Sequence, residues 1–392
     1  SIYDEASVPV YTLPDLLIQE DGLPVTTTDT WQQKRRPELL RLFAENVFGQ
    51  TPPVTGDVDF EVTGEGTAFG GRAMRKEIVV RIGEARFHLL LYVPTDSPKP
   101  CPAFLGLNFL GNHTVSDEPG VTPVPQWKRD GEKPGVVYHL PATPRGDQAS
   151  RWQVETVLKR GYALATACYE EIEADFGGGA KRGIRASLPI TEDAECGAIG
   201  TWAYALSRAM DCLEHEPAVD ARRVALIGHS RLGKTALWAA AQDERFALVI
   251  ANNSGEGGAA ISRRRFGENI ADLVRNFPHW FAARYAHYAD NEDALPVDAH
   301  SLLALTAPRP LYVASATEDL WADPRGEFLG AKATESVYHL FGNKGLGNAT
   351  FPAPDTPVGD TVRYHLRTGK HDVTAYDWEQ YLDFADTHFA TR

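Results

Sequence analysis

Residues 224–241 read VALIGHSRLGKTALWAAA, and two incompatible motifs overlap within them. From Gly228 the letters fit G-x-x-x-x-G-K-[ST] through Lys234 and Thr235, the pattern of a loop whose backbone N–H groups cradle a phosphate. Around Ser230 the same letters fit a nucleophile elbow, a serine on a sharp turn between a strand and a helix. The first reading makes the chain a nucleotide hydrolase and the second an acyl-transfer enzyme.

A phosphate loop turns successive N–H groups inward, so its variable positions favour small residues. Here they are His229, Ser230, Arg231 and Leu232, three of them bulky. The next apolar strand ends in asparagines (LVIANNSG) and offers no carboxylate for Mg²⁺, although Glu318 and Asp319 follow a later one. The elbow reading has its own defect. Small residues should stand two before and two after the nucleophile; Gly228 satisfies the first, but Leu232 occupies the second and Gly233 comes one later. What supports the elbow is the order of the remaining chemistry.

The flanking pattern predicts the scaffold. Segments 58–63, 76–83 and 86–94 alternate near period two and predict an antiparallel edge. From residue 102 the strands become short and continuously apolar (102–109, 162–168, 223–228, 246–253, 309–316), as in a sheet buried on both faces. Candidate helices at 150–160, 196–214, 231–243, 326–340 and 376–389 separate them, and a surface helix is expected to end at Gly49. The expectation is a single α/β-hydrolase domain over 1–392, with a mostly parallel central sheet covered by helices on both faces. Two long aperiodic loops, about 110–148 and 341–360, would decorate it.

On that scaffold Ser230 is followed by a carboxylate after a later strand, Asp319 in RPLYVASATEDLW, and then by His371 in a glycine-containing turn before the last helix. Serine, acid, histidine is the chain order of α/β-hydrolase triads. In such a triad the histidine takes the serine proton and the acid fixes its tautomer. Of twelve histidines, His371 alone lies in a loop between the acid-bearing strand and the final helix.

Three passages, GHSRLGKTALWAAAQDERFALVIANNSGEGG, ATEDLWADPRGEF and TGKHDVTAYDW, resemble the glucuronoyl esterases, carbohydrate esterase family 15, whose elbow has the form G-x-S-R-x-G-K. That form accounts for the displaced glycine. The resemblance spans most of residues 100–390. It implies hydrolysis of the ester between 4-O-methyl-glucuronate of glucuronoxylan and a lignin alcohol through an acyl-enzyme, with no cofactor and no metal. It implies oxyanion stabilisation by Arg231, helped by a donor from residues 108–110, and sugar contacts from Lys234, Glu268 and Trp321. Lys234 could instead reach solvent, and Trp321 could be a plain core aromatic. Some members carry the acid where Glu256 stands here, others where Asp319 stands; Asp319 is taken as the principal acid, with Glu256 as alternate or helper.

The bulk numbers agree with an enzyme of this kind. The 392 residues are 43% hydrophobic and 23% charged, enough apolar content for a large core. A formal net charge of −14 argues against a nucleic-acid partner, and no apolar run approaches the roughly 20 residues that span a membrane. Starting at Ser1, the chain is expected to be a mature, secreted or periplasmic form and a monomer. Cys196 and Cys212, if on one helix, lie roughly 24 Å apart and cannot pair; buried free thiols are expected for all four cysteines. The rival readings are an acetyl or feruloyl esterase on the same fold, a silent binding protein, and the phosphate-loop hydrolase.

Overall fold

The computed structural model describes all residues except 55–56, 124–125, 130–136, 141–142, 189–194 and 391–392. The chain divides into two compact units. One holds Thr51–Ala194, Thr201–Leu226 and Val373–Arg392; the other holds Ser1–Gln50, Glu195–Gly200 and Ile227–Asp372.

In the unit that starts at Thr51, alternating segments form a meander of β1 (Val58–Ala68), β2 (Ala73–Ile82) and β3 (Ala85–Pro94). β1 is largely exposed, as an edge strand with Asp59, Glu61 and Glu65 should be. β4 (Cys101–Asn108) follows, then a small antiparallel pair, β5 (Gln126–Arg129) and β6 (Val137–Leu140), then β7 (Ala163–Cys168). β3 pairs antiparallel with β7, while β4 pairs parallel with β7 and with β8 (Val219–His229). The pair β5–β6 falls inside the stretch expected to be loop, part of which lies outside the described residues.

In the other unit the end of β8 is followed by β9 (Leu248–Asn252), β10 (Leu311–Ala316), β11 (Val358–Gly359) and β12 (Val362–Arg367). The strand order is β1-β2-β3-β7-β4-β8-β9-β10-β12-β11, and β10 pairs parallel with both β9 and β12. Every residue of β7, β9 and β10 is buried, which is why these strands read as unbroken apolar runs. This is the expected α/β-hydrolase scaffold, a mostly parallel sheet with helices and an antiparallel start.

The helical run Thr28–Phe48 ends before Gly49 (φ 86°), burying Trp31, Leu39, Phe43 and Phe48 on one face and leaving Asp29, Gln33, Lys34, Pro37 and Arg41 exposed on the other. Three expectations need correction. The helix expected at 150–160 breaks at Gln153, held left-handed at φ 46°, and the one at 326–340 divides into Pro324–Lys332 and Glu335–Leu340. Cys196 precedes the helix Ala198–Glu214 that carries Cys212; all four cysteines are free and buried, as expected.

Candidate active site

The elbow is built as the sequence predicts, and one residue forms it. β8 ends at His229 and the helix Arg231–Gln242 begins at once, so Ser230 alone makes the turn, at φ 58° and ψ −128°. A side-chain-bearing residue there is strained, at a cost on the order of 1–3 kcal/mol. The strain is held by hydrogen bonds on both sides: Ser230 N–H donates to Asn252 O (2.9 Å), and Ser230 O accepts from Gly233 N–H (2.8 Å). A turn of one residue leaves no stretch of backbone to wrap a phosphate, which removes the P-loop reading.

The displaced glycine also acquires a physical cause. A Cβ on Gly228 would lie 1.9 Å from Leu232 O, so the strand cannot carry a side chain where the helix crosses it. A Cβ on Gly233 would come within 2.9 Å of Ser254 Cβ and 3.2 Å of Gly228 O. The helix presents residue 233 to the segment after β9, while Leu232 is buried with its side chain in place.

The expected triad acid and base meet. His371 Nδ1–H donates to Asp319 Oδ2 at 2.6 Å, which leaves Nε2 with the lone pair a general base requires. The His371 ring packs 4.6 Å from that of His229, the residue before Ser230, so the imidazole stands beside the elbow. Burial alone would push the Asp319 carboxyl up. Hydrogen bonds from His371 and Asn253 Nδ2 (2.7 Å), with the charges of His371 and Lys234, outweigh it and hold the group below its ordinary value. Asp319 is therefore an anion at neutral pH, able to stabilise an imidazolium.

Glu256 occupies a different environment. It is fully buried, and its Oε1 accepts from Ser262 Oγ (2.6 Å) and Tyr285 OH (2.9 Å). Burial pushes its carboxyl up to about 8 despite those two hydrogen bonds, so the group is protonated at neutral pH.

Two of the three expected sugar-contact residues meet directly, and the third is joined to them through the backbone. Lys234 is buried, not snorkelling; its Nζ donates to Ser254 O (2.7 Å) and lies 3.6 Å from Glu268 Oε2. Glu268 N–H donates to Trp321 O (2.8 Å), which ties the acidic residue to the turn after Asp319. Trp321 is 41% exposed, not a core aromatic, and Leu320 beside it is exposed too. The guanidinium of Arg231 lies 4.8 Å from the ring centre of Trp280 and 5.3 Å from that of Phe277. The second oxyanion donor expected from residues 108–110 belongs to the other compact unit. Among the described residues no group of three or more His, Cys, Asp or Glu could hold a metal ion.

Comparison with known proteins identifies the scaffold and the chemistry together. The family profile described as "Glucuronyl esterase, fungi" matches residues 153–342. A glucuronoyl esterase of known structure from Solibacter usitatus is 50% identical, with 98% of this chain and 100% of that chain covered at a TM-score of 0.93. The carbohydrate esterase MZ0003, from an unknown prokaryotic organism, is 46% identical over 98% of this chain and 91% of its own length. This chain is a glucuronoyl esterase of carbohydrate esterase family 15. A further structure, of a promiscuous family 15 esterase from a marine bacterial metagenome, is 45% identical over 99% of both chains, with a TM-score of 0.90. The enzyme is thus a carboxylic-ester hydrolase.

Sequence reading overlooked several residues that support the esterase's site. Asn253, left-handed at φ 50°, shares Asp319 Oδ2 with His371. Asn252 Oδ1 accepts from His229 Nδ1 (2.7 Å) and orients the ring packed on His371. Glu327 is fully buried behind this layer: its Oε1 accepts from Gly255 N–H (3.0 Å) and its Oε2 from Ser315 Oγ (2.6 Å), and burial pushes its carboxyl up to about 8. Arg367 clamps the loop that carries His371, donating to Thr368 O (3.1 Å), Lys370 O (2.8 Å) and Asp372 O (3.1 Å). The only local signal for any of these was the doubled asparagine at a strand end.

Proposed function

We propose that this esterase cleaves the ester between the carboxyl group of 4-O-methyl-glucuronate on glucuronoxylan and an alcohol of lignin, through a seryl acyl-enzyme. Ser230 Oγ attacks the uronate carbonyl carbon while its proton passes to His371 Nε2. The tetrahedral oxyanion is met by the N–H of Arg231, the first residue of its helix, and the Arg231 guanidinium adds positive charge there. Collapse expels the alcohol, which takes the proton from His371. Water then repeats the sequence on the acyl-enzyme and releases the uronic acid. Asp319 acts as the triad acid, and Glu256 stays outside the proton transfers.

The observation that carries this reading is the 2.6 Å hydrogen bond from His371 Nδ1 to Asp319 Oδ2 beside a serine in strained elbow geometry. Lys234, Glu268 and Trp321 would bind the sugar: a cation and a carboxylate suit ring hydroxyls, and an exposed indole suits a pyranose face. The names of the relatives support the uronate: several are 4-O-methyl-glucuronoyl methylesterases, among them one from Cerrena unicolor that is 33% identical over 350 residues. A polymeric wall substrate lies outside the cell, which favours a secreted or periplasmic enzyme; no helix of the described residues is long and apolar enough to cross a membrane.

The test is the rate on benzyl glucuronate against methyl galacturonate and an aryl acetate, for wild type and Ser230→Ala. Glucuronate should be preferred, and Ser230→Ala should abolish turnover. Efficient cleavage of the acetate with neglect of the glucuronate would instead mark an acetyl or feruloyl esterase.

A further inference from the structure

We propose that Trp280, stacked on Phe277, is a positioning residue that holds the two cations of the elbow helix, Arg231 and Lys234, in working orientation. The proposal rests on the assignment of Arg231 to the oxyanion and of Lys234 to the sugar.

The geometry is specific. Trp280 and Phe277 stack face to face, with ring centres 3.9 Å apart and planes inclined by 6°. The Arg231 guanidinium packs at the shared rim of the stack, 4.8 Å from the centre of the Trp280 ring and 5.3 Å from that of Phe277, and Lys234 Nζ lies 5.8 Å from the centre of the Trp280 ring. One buried indole therefore faces two positive charges three residues apart on the first turn of a helix. That is an unfavourable place for cations, because the helix dipole presents its positive end there. The negative face of an aromatic ring attracts a cation, most strongly where water is excluded, and Trp280 is 2% exposed. Contact with both rings at once also restricts the orientation of the Arg231 guanidinium.

The platform is itself anchored. Phe277 follows the helix Ile270–Asn276, and its N–H donates to Leu273 O (2.7 Å); Pro278 opens the short turn Pro278–Trp280. A Cβ on Gly197 would lie 2.1 Å from Trp280 O, so that glycine lets the Trp280 backbone seat closely. On the far side Phe281 packs against Tyr285 and Phe48. Simple core filling would require an apolar surface of this size, but not two cations converging on the same ring.

The experiment is a double-mutant cycle on benzyl glucuronate hydrolysis with Trp280→Leu, Trp280→Phe and Arg231→Ala. Trp280→Leu should lower kcat about tenfold or more, with the smaller part of the effect in KM. Trp280→Phe keeps a ring under the cations and should recover most of that loss. In the Arg231→Ala background Trp280→Leu should cost less than about threefold, because the cation it orients is gone. An equal cost in both backgrounds would overturn the proposal while leaving the role of Arg231 intact. If Arg231→Ala itself costs little while Ser230→Ala is dead, the role of the Arg231 guanidinium at the oxyanion falls and this proposal with it, while the backbone N–H assignment stands. Should Trp280→Leu not fold, Phe277→Leu in the same cycle reads the same coupling through the second ring.

Discussion

Replacing Glu256 by Gln should make this enzyme more stable as pH rises while leaving it active. Glu256 is fully buried and retains its proton up to a pH of about 8, against an ordinary value of 4.5. The unfolded chain releases that proton near 4.5, so folding becomes progressively less favourable between pH 4.5 and 8 on account of this group. Below 4.5 the carboxyl is neutral in both states and the penalty vanishes. At about 1.4 kcal/mol per pH unit, the accumulated cost above pH 8 is at most on the order of 5 kcal/mol. Glutamine is neutral throughout, and its carbonyl can accept the hydrogen bonds that Ser262 and Tyr285 now give to Oε1. Thermal melts of both proteins from pH 4 to 9 should coincide at the acid end and separate by several degrees at the alkaline end, the variant melting higher. Other buried acids, Glu327 included, are common to both proteins and cancel in the difference. Initial rates on benzyl glucuronate should agree within about threefold, because no hydrogen bond to Glu256 comes from His371. A variant that melts lower at high pH, or one that loses orders of magnitude in kcat, would refute the assignment of Glu256 as a neutral structural acid.

Asp319→Asn should lower kcat by about 10³–10⁴-fold, since an amide no longer stabilises the imidazolium and can favour the wrong tautomer; initial-rate kinetics beside Glu256→Gln decides which acid the triad uses. Gly228→Ala would put a methyl 1.9 Å from a backbone oxygen, so the elbow cannot close; circular dichroism and activity should both show loss, and a fully active variant would contradict the geometry. Arg367→Met removes three donors from the loop bearing His371 and should reduce kcat by roughly 10–100-fold with little change in KM, by analogy with other supports of catalytic groups.

The sequence disclosed what is written along the chain and missed what is assembled across it. The central strands were legible because burial on both faces leaves them no polar positions, and the elbow was legible because Ser230 and its helix are contiguous. Helix breaks were less so: nothing around Gln153 marks a left-handed residue, and neither glycine nor proline stands there. Asp319 and His371 were singled out by their order, and the structure adds that they share a hydrogen bond while Glu256 does not reach the imidazole. Both acids follow strands, and only the hydrogen bonds separate a carboxylate facing an imidazole from one facing two hydroxyls. Glu327 and Trp280 gave no signal, because a glutamate in a helix and an aromatic in a loop have many ordinary uses. Their partners, Gly255 and Ser315 for one and Arg231 and Lys234 for the other, are remote in sequence.

The glycine at 233 restricts how this elbow can vary. Its neighbour through space is Ser254, in the chain just beyond β9, so smallness at 233 and at 254 is a shared requirement. An alanine at 233 would press on the Ser254 Cβ, and a glycine at 254 would relieve it, but that exchange would remove the hydroxyl that accepts from Ala259 N–H and donates toward Glu327. Compensation at the elbow is therefore tied to the buried acid behind it. Variation at these three positions should be concerted.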